Sequence, residues 1–401
     1  MPPPLKLRLF RVTAVVGGLI VGLLLAEGLT RILHPKPSVA LRYFNLEEEE
    51  RALFCRYSPQ LGWEGIPGAQ GRFEWIDCAS YVHQNAQGFR GRELPFERGS
   101  AKRVAVLGDS FVWGFGVEED EMFTRQMERL SAAPLEVINL GVSGYGTDQE
   151  LLTWRQKGQQ WHPDEVIVLV NFLTDINDNR EPKRYGYPKP MFRPDPDGTL
   201  TLTNVPVPRT TEPPAAMKFF RAERAWLGPL ASHSALASLA ISALLQHQLT
   251  RDFLETHRAI PRRRMAYNWE ASFYQLPYSR EDEQDWSVLE AILAQLDRDV
   301  RQGGARLRVV AVPSISEVYD ESWERVSRGS PPPDRAWART AATDHLIAIG
   351  ARLHVPVIDL TSDFQIAGRH NAYLYFPYNM HWTAEGHRLA AERILREIAR
   401  P

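Results

Sequence analysis

The stretch Arg103-Val-Ala-Val-Leu-Gly-Asp-Ser110 decides the fold of this chain. Its four apolar residues are typical of a buried strand, and they run into a Gly-Asp-Ser turn. A strand that ends in a glycine turn carries the next hydroxyl to the edge of a sheet, clear of the core. An ordinary polar turn has the same composition. The pattern therefore makes Ser110 a candidate nucleophile, to be judged against the rest of the sequence.

Beyond this strand, short apolar runs alternate with helical patterns. The predicted strands are Arg103–Leu107, Glu136–Leu140, Glu165–Val170, Leu307–Val312 and Val355–Leu360. The predicted helices are Met122–Leu130, Thr147–Trp161, Trp286–Gln302, Arg335–Ile349 and Thr383–Ile398. This alternation predicts an α/β fold with a parallel sheet and helices on both faces. Active sites of such sheets lie at the carboxyl ends of the strands, where Ser110 follows the first strand.

Two segments depart from the repeat. Residues 34–100 predict a linker followed by short strands and turns, because they are rich in glycine and aromatic residues without helical period. Residues 181–285 form an insertion that is rich in proline up to Pro214 and then apolar and helical around Met217–Leu254. An insertion of this length is typical of a lid or a binding element, and a helical buttress without a ligand is an equal alternative.

The N-terminus predicts a membrane anchor. Basic residues precede an apolar run from Val12 to Leu33 that is interrupted only by Glu27 and Arg31. At about 1.5 Å per residue this helix spans a bilayer core of ~30 Å. Glu27 and Arg31 lie one helical turn apart and can form an ion pair. Residues 1–11 are expected to stay in the cytoplasm, because basic flanks remain inside.

The rest of the chain is then expected outside the cytoplasm, in the periplasm if the cell is Gram-negative. A cleaved signal peptide is the alternative, since Ala26 and Gly28 give a weak cleavage pattern. Both cysteines, Cys55 and Cys78, follow the apolar run. In an oxidising compartment they could form one disulfide, and two buried thiols are the alternative.

Composition excludes one class of partner and leaves others open. The chain has 401 residues, 44% of them hydrophobic, and a formal net charge of -2. It lacks the basic excess that nucleic-acid binding needs, so no nucleic-acid partner is expected. The sequence shows no metal-ligand cluster and implies no cofactor. Protein partners and oligomeric state are left open.

A serine nucleophile needs a base, and histidine is best suited to remove its proton at neutral pH. His381 is the strongest candidate, because it lies directly before the last predicted helix, at a sheet edge that can face Ser110. An isolated histidine is more often structural, as we expect for His387 in the first turn of that helix. Charge on a tetrahedral intermediate also needs fixed donors. The Asn139–Gly144 loop and the Ser110 N–H can supply them, with Gly144 as the second donor, although a tight strand-to-helix turn explains the same glycines.

These motifs resemble the SGNH/GDSL hydrolase superfamily, over roughly residues 100–401. The resemblance rests on Gly108-Asp109-Ser110, the Asn139–Gly144 block, Asp175 after the third strand and His381-Trp382 before the last helix. It implies a flavodoxin-like three-layer α/β/α fold over residues 101–401, added to the transmembrane helix at residues 12–33. It also implies serine-based esterase or acyltransferase chemistry, with Ser110 as nucleophile and His381 as base. Gly144, Thr174 and Asp109 fall at the oxyanion and substrate-binding positions.

Two positions depart from the family pattern. The oxyanion asparagine is replaced by Thr174, which can donate one hydrogen bond over a shorter reach, and Asn171 and Asn177 are nearby substitutes. The family's acid precedes the histidine by two or three residues, where this chain has Asn379 and Tyr378.

Three arrangements stay open at the acid position. Asn379 could orient His381 in a dyad, or a carboxylate such as Asp359 or Asp363 could arrive from elsewhere, or the site could bind without turnover. An asparagine can hold the ring but cannot offset the positive charge that forms on it; in a serine-protease triad, replacing aspartate by asparagine lowers kcat by roughly 10⁴. If the missing acid limits turnover, Asn379→Asp is expected to raise it.

The resemblance predicts an extracytoplasmic serine esterase acting on O-acyl esters, with acylated carbohydrate such as an O-acetylated cell-wall or extracellular polysaccharide as substrate. An O-acyltransferase with the same site is one alternative. A catalytically impaired glycan-binding protein is another. Its binding aromatics could be Trp113, Trp382 and Tyr145, which are equally expected in the core.

Overall fold

The structure is a computed structural model that describes residues 5–33, 50–75, 77–195, 199–210, 227–245, 250, 253–254, 257, 270–370, 372–377 and 379–399. The chain divides into two compact units. One comprises residues 1–47 and 217–263, and the other comprises residues 48–216 and 264–401. Each unit is described by itself. The domain boundaries expected from the sequence stay a prediction.

The described elements alternate as an α/β chain with added hairpins. The strands are β1 (Cys55–Ser58), β2 (Gly62–Gly65), β3 (Gln70–Glu74), β4 (Ala79–His83), β5 (Lys102–Leu107), β6 (Leu135–Asn139), β7 (Glu165–Val170), β8 (Lys183–Arg184), β9 (Tyr187–Pro188), β10 (Met191–Pro194), β11 (Leu200–Thr203), β12 (Gln275–Leu276), β13 (Arg306–Ala311), β14 (Ala336–Trp337) and β15 (Val357–Asp359). The helices are α1 (Leu5–Leu33), α2 (Glu50–Phe54), α3 (Ser110–Trp113), α4 (Phe123–Leu130), α5 (Thr147–Gln156), α6 (Phe172–Arg180), α7 (Gly228–His233), α8 (Ala235–Leu245), α9 (Arg280–Gln302), α10 (Ile315–Val318), α11 (Asp320–Val326), α12 (Ala341–Leu353), α13 (Thr361–Arg369) and α14 (Ala384–Ile398).

The first unit contains the apolar N-terminal helix. Within α1, Phe10–Leu33 is long and apolar enough to cross a membrane. The expected ion pair forms, with Arg31 Nε 2.7 Å from Glu27 Oε1. Glu27 also accepts hydrogen bonds from the Ala235 and Leu236 N–H groups at 2.9 and 3.0 Å, which satisfies the first turn of α8. The insertion therefore supplies helices that contact α1 within this unit.

The second unit is built on a five-stranded parallel sheet in the order β6-β5-β7-β13-β15. Numbered along the chain, that order is 2-1-3-4-5, which is the flavodoxin-like arrangement. The predicted fold class is confirmed. The order in which strands are added to the sheet reverses between β5 and β7, so a crevice opens beside the carboxyl end of β5, where ligands bind in such sheets.

Side chains alternate across this sheet and build a core on each face. On β7, Val166, Val168 and Val170 pack in one cluster, which includes the apolar faces of α5, α9 and α12. Ile167 and Leu169 pack in the other, with α4 and α14. Both faces are thereby covered by helices, as the continuous apolar runs predict for a buried parallel sheet.

The predicted strands are all present, and the helix ends differ where polar residues set them. Helix α9 begins at Arg280 instead of Trp286, because Ser279 caps its polar first turn and accepts a hydrogen bond from the Asp282 N–H. Helix α5 ends at Gln156 rather than Trp161, and Gly158–Trp161 forms a separate 3₁₀ turn. Helix α12 spans Ala341–Leu353, later than the expected Arg335–Ile349.

The segments outside the repeat form short antiparallel hairpins in this unit. Strands β1 and β2 pair, as do β3 and β4, and both hairpins pack against the main domain as expected. The insertion begins with two further hairpins, β8–β9 and β10–β11. The helical pattern around Met217–Leu254 is present as α7 and α8, and its remainder lies largely outside the described residues.

The two cysteines belong to different hairpins. Cys55 begins β1 and packs against the core cluster on one face of the sheet, whereas Cys78 lies beside β4 in a separate aromatic cluster. They are not joined by a disulfide in the structure, and the pairing considered from the sequence stays a prediction.

Candidate active site

The turn after β5 presents Ser110 as the sequence predicts. A Cβ at Gly108 would overlap the Val112 side chain, so only glycine fits this turn. Asp109 caps α3 by accepting a hydrogen bond from the Phe111 N–H at 2.9 Å. Ser110 is the first residue of α3 and is half-buried, so its hydroxyl is held at the sheet edge within reach of a substrate.

His381 lies opposite this serine. Its Nε2 is 2.7 Å from Ser110 Oγ, although the two residues are 271 positions apart. Trp382, the next residue, is fully buried, and Thr383 caps α14 directly afterwards. The buried Trp382 and the capping Thr383 thus fix the backbone directly after His381.

Aromatic rings enclose the imidazole. The Phe115 ring stacks on it at a centroid distance of 4.2 Å, and the Phe111 ring lies at 5.1 Å. Burial lowers the pKa of His381 to about 3, and the backbone hydrogen bond to Asn379 offsets only part of that effect. The ring is therefore neutral at pH 7, with a lone pair available as a base.

Asn379 takes the position beside the ring where the family has an acid. Its Oδ1 lies 3.0 Å from His381 Nδ1 and accepts the His381 N–H at 2.8 Å. The carboxylates considered from sequence are committed elsewhere. Asp359 accepts a hydrogen bond from the Thr361 N–H at 2.7 Å, and Asp363 pairs with Arg396 at 2.8 Å.

A residue that sequence reasoning missed lies behind Asn379. The Asn379 Nδ2 donates to Asp77 Oδ1 at 2.6 Å, and the Asn379 N–H donates to Asp77 Oδ2 at 3.4 Å. Asn379 Nδ2 also lies 3.4 Å from Cys78 Sγ. Asp77 sits between β3 and β4 in an irregular segment with no motif of its own. The only signal that bore on it was the expectation that this segment packs against the main domain.

The Asn139–Gly144 loop is tied to the serine turn. Asn139 accepts the Gly141 N–H at 2.9 Å and donates to the Val112 carbonyl at 2.8 Å, and the Val142 N–H donates to the Gly108 carbonyl at 3.1 Å. Gly144 has a φ of 79°, and a Cβ there would overlap Arg51. In the described part of the chain, neither the Ser110 nor the Gly144 N–H donates to a protein acceptor.

Thr174 and Asn171 meet Asp109 on the other side of the turn. Thr174 Oγ1 lies 3.2 Å from the Asn171 carbonyl and 3.4 Å from Asp109 Oδ2, and Asn171 Nδ2 lies 3.5 Å from the same oxygen. Asn177 instead donates to the Leu173 carbonyl in its own helix. Burial raises the pKa of the Asp109 carboxyl.

Further buried carboxyls support this corner. Asp175 accepts the Asn171 N–H at 2.8 Å, which holds the turn after β7. Burial, followed by the charges of Asp109 and Asp178, raises the pKa of Asp175 well above its usual range. Two cations balance the group, since Arg184 pairs with Asp178 at 2.6 Å and Lys189 pairs with Asp148. The described residues include no cluster of three or more side chains suited to hold a metal ion.

The aromatic residues considered for glycan stacking are core residues. Trp113, Trp382 and Tyr145 are each at most 2% exposed, so none of their faces is open to a sugar ring. His387 is structural, as expected. Its Nδ1 accepts the Phe123 N–H at 3.2 Å, and its ring stacks on Phe123.

Comparison with known families finds one family model that matches part of the chain. Residues 272–401 match the family model described as SGNH hydrolase-like domain, acetyltransferase AlgX. The match includes Asn379 and His381 but begins after Ser110, and it covers about a third of the chain. The resemblance to SGNH hydrolases is confirmed. A search of curated proteins finds no match.

Several solved structures are similar at low identity. The acetyl xylan esterase AlAXEase is 11% identical, with 74% of this chain and 99% of that chain covered and a TM-score of 0.37. A catalytic mutant of the acetylxylan esterase Axe2 from Geobacillus stearothermophilus is 12% identical, with 76% and 97% covered and a TM-score of 0.36. The lipase/acylhydrolase from Enterococcus faecalis is 14% identical, with 74% and 95% covered and a TM-score of 0.34.

The neutrality of His381 can be tested directly by NMR titration of imidazole resonances. Because burial lowers the pKa of His381 to about 3, its ring is expected to keep the neutral chemical shift while the pH falls from 7 to about 4. The His381→Gln variant assigns the resonance. In this range His381 binds a proton in the unfolded chain but not in the native protein. Its contribution therefore lowers the free energy of unfolding as the pH falls. A midpoint at or above 6.5 would contradict the burial that we describe.

Proposed function

Because the chain carries an SGNH hydrolase-like domain, we propose that it is a serine enzyme acting on O-acyl esters. One observation carries the proposal: Ser110 Oγ lies 2.7 Å from His381 Nε2, and Asn379 Oδ1 lies 3.0 Å from the other ring nitrogen. A nucleophile within hydrogen-bond reach of a base, with the base oriented by a third group, is the arrangement that nucleophilic catalysis requires.

The reaction proceeds through an acyl-enzyme. Ser110 Oγ attacks the ester carbonyl carbon while His381 Nε2 takes the hydroxyl proton. The negative charge that develops on the carbonyl oxygen is met by the Ser110 and Gly144 N–H groups, which have no protein acceptor among the described residues. Thr174 adds a donor if its hydroxyl turns away from Asn171. The tetrahedral intermediate collapses, the alcohol leaves with the proton from His381, and the acyl group stays on Ser110.

A second nucleophile then releases the acyl group. Water gives hydrolysis, and we propose an O-acetyl ester of a cell-wall or extracellular polysaccharide as the substrate. A sugar hydroxyl gives transfer by the same chemistry. The description of the matched family as an acetyltransferase favours this second candidate. A glycan-binding protein without turnover receives no support, because its proposed stacking residues are buried and its serine and histidine are hydrogen-bonded.

The helix Phe10–Leu33 supports an extracytoplasmic setting. We propose that it stays as a single-pass anchor with residues 1–11 in the cytoplasm, since the basic flank remains inside. The SGNH hydrolase-like domain would then act on the far side of the membrane, where acylated polysaccharide is exposed.

Removal of the nucleophile or the base is expected to abolish turnover. Ser110→Ala and His381→Ala should each lower the hydrolysis of an activated acetate ester by the full-length protein in detergent by about 10³-fold or more. Ser287→Ala, on the exposed face of α9, is the matched control and should leave the rate unchanged. Turnover that survives Ser110→Ala in folded protein would contradict the proposed site.

Hydrolysis and transfer are separated by the fate of the acetyl group. The wild-type protein is incubated with the activated acetate ester, with and without a soluble oligosaccharide acceptor, and both free acetate and acetylated sugar are measured. An esterase releases acetate at a rate that the acceptor does not change. A transferase diverts acetyl to the sugar in proportion to acceptor concentration. Formation of neither product by folded wild-type protein would contradict both candidates.

A further inference from the structure

Asp77 lies directly behind the histidine-orienting asparagine, and the matched family segment does not contain it. We propose that Asp77 is a positioning residue for the reaction: its carboxylate locks the Asn379 amide so that His381 presents a lone pair to Ser110. Resting on the proposed function, this completes a relay Ser110–His381–Asn379–Asp77 in which the acid stands one residue further from the ring than a triad acid does.

The carboxylate decides which way the amide faces. An ionised carboxylate only accepts hydrogen bonds, so the Asn379 group 2.6 Å from Asp77 Oδ1 must be the NH₂. The amide oxygen then faces His381, where it receives the backbone N–H at 2.8 Å and lies 3.0 Å from Nδ1. An oxygen at that place requires a proton on Nδ1. His381 Nε2 is thereby left as an acceptor for the Ser110 hydroxyl at 2.7 Å.

Without Asp77, only the His381 backbone N–H still favours that orientation over the flipped one. A flipped amide would turn its NH₂ toward Nδ1 and favour the tautomer with the proton on Nε2. That tautomer cannot take the serine proton, and the wrong tautomer is the reason why a serine-protease triad with asparagine in place of aspartate fails. An asparagine can therefore serve here because a carboxylate and a backbone N–H together fix the direction of its amide.

The same charge stabilises the imidazolium through the amide. As His381 takes the proton, its Nδ1–H hydrogen bond to the amide oxygen strengthens. The negative charge of Asp77 polarises the amide and strengthens this hydrogen bond further. No proton reaches Asp77, since it already accepts from an amide that keeps its hydrogens. The ring needs this help because Phe115 and Phe111 shield it from water.

The hairpin that carries Asp77 also supports the ring from the side. Phe73 on β3 packs edge-on against Phe115 at a centroid distance of 5.1 Å, and Phe115 stacks on His381. The Trp75 N–H donates to the Cys78 carbonyl at 2.8 Å, which closes the backbone around Asp77. The β3–β4 hairpin is thus a built part of the site.

This geometry changes the expectation for Asn379→Asp. Alone, that substitution puts two carboxylates at hydrogen-bond distance, where like charges repel. Combined with Asp77→Asn, it restores a neutral amide beside one carboxylate, with the acid now next to the ring. The two positions are therefore expected to couple strongly.

The test measures kcat, KM and the pH profile of ester hydrolysis by the full-length protein in detergent, for Asp77→Ala, Asp77→Asn, Asn379→Asp and the double variant. We expect Asp77→Ala to lower kcat by about 10-fold or more with little change in KM, as outer partners of a functional histidine typically do. The double variant should exceed Asn379→Asp by about 10-fold or more. Its acid limb should move to higher pH, because an adjacent carboxylate raises the pKa of a histidine. Asp120→Asn, at an exposed carboxylate, is the charge-matched control and should behave as wild type.

A second readout works even if the protein has no esterase activity. The ¹⁵N chemical shifts of His381 report its tautomer, and the wild-type ring is expected to carry its proton on Nδ1, whereas Asp77→Ala should populate the Nε2 form. If neither the wild type nor any variant hydrolyses the ester but the tautomer change is present, the proposed function is rejected and the role of Asp77 is kept. Additive effects of the two positions, a wild-type kcat in Asp77→Ala, or an unchanged tautomer would overturn the role of Asp77. If Asp77→Ala fails to fold, the Asp77→Asn and double variants decide.

Discussion

The hydrogen bond between Ser110 Oγ and His381 Nε2 is the contact on which the candidate site depends. It joins the first strand of the sheet to the turn before the last helix, and the parallel sheet makes that meeting possible. Because every strand of the sheet runs the same way, its carboxyl ends share one edge, and the strand order puts β5 beside the central β7. The buried faces of β7 then hold this edge rigid from both sides.

The chemistry of the site is set by what surrounds its base. Burial between aromatic rings keeps His381 neutral over a wide pH range, which secures a free lone pair for the serine proton. The same burial makes the charged ring costly, and an asparagine neighbour cannot offset that charge by itself. The hydrogen bond from Asn379 to Asp77 supplies a carboxylate that acts on the ring through the Asn379 amide. Asp77 thus supplies the negative charge, and Asn379 makes the contact with the ring.

The features that could be predicted from sequence are those written in local pattern. The Gly-Asp-Ser turn and the βα alternation place Ser110 and His381 at one sheet edge, and the structure brings them together. The start of α9 was missed because its first turn is polar and capped by Ser279, outside the apolar period. Asp77 could not be predicted, since it meets Asn379 across 302 positions from a segment without period or motif. The roles of Trp113 and Trp382 were open in the sequence, because burial decides between core and binding surface, and only tertiary packing fixes burial.

The most direct measurement traps the covalent intermediate. The full-length protein is mixed with an activated acetate ester, quenched in acid after a short time, digested and analysed by mass spectrometry. Our account predicts one acetyl group on the peptide that contains Ser110, with none on the corresponding peptide of Ser110→Ala. An acetyl group on another residue that turns over at the catalytic rate, or ester turnover without acetyl on Ser110, would contradict it.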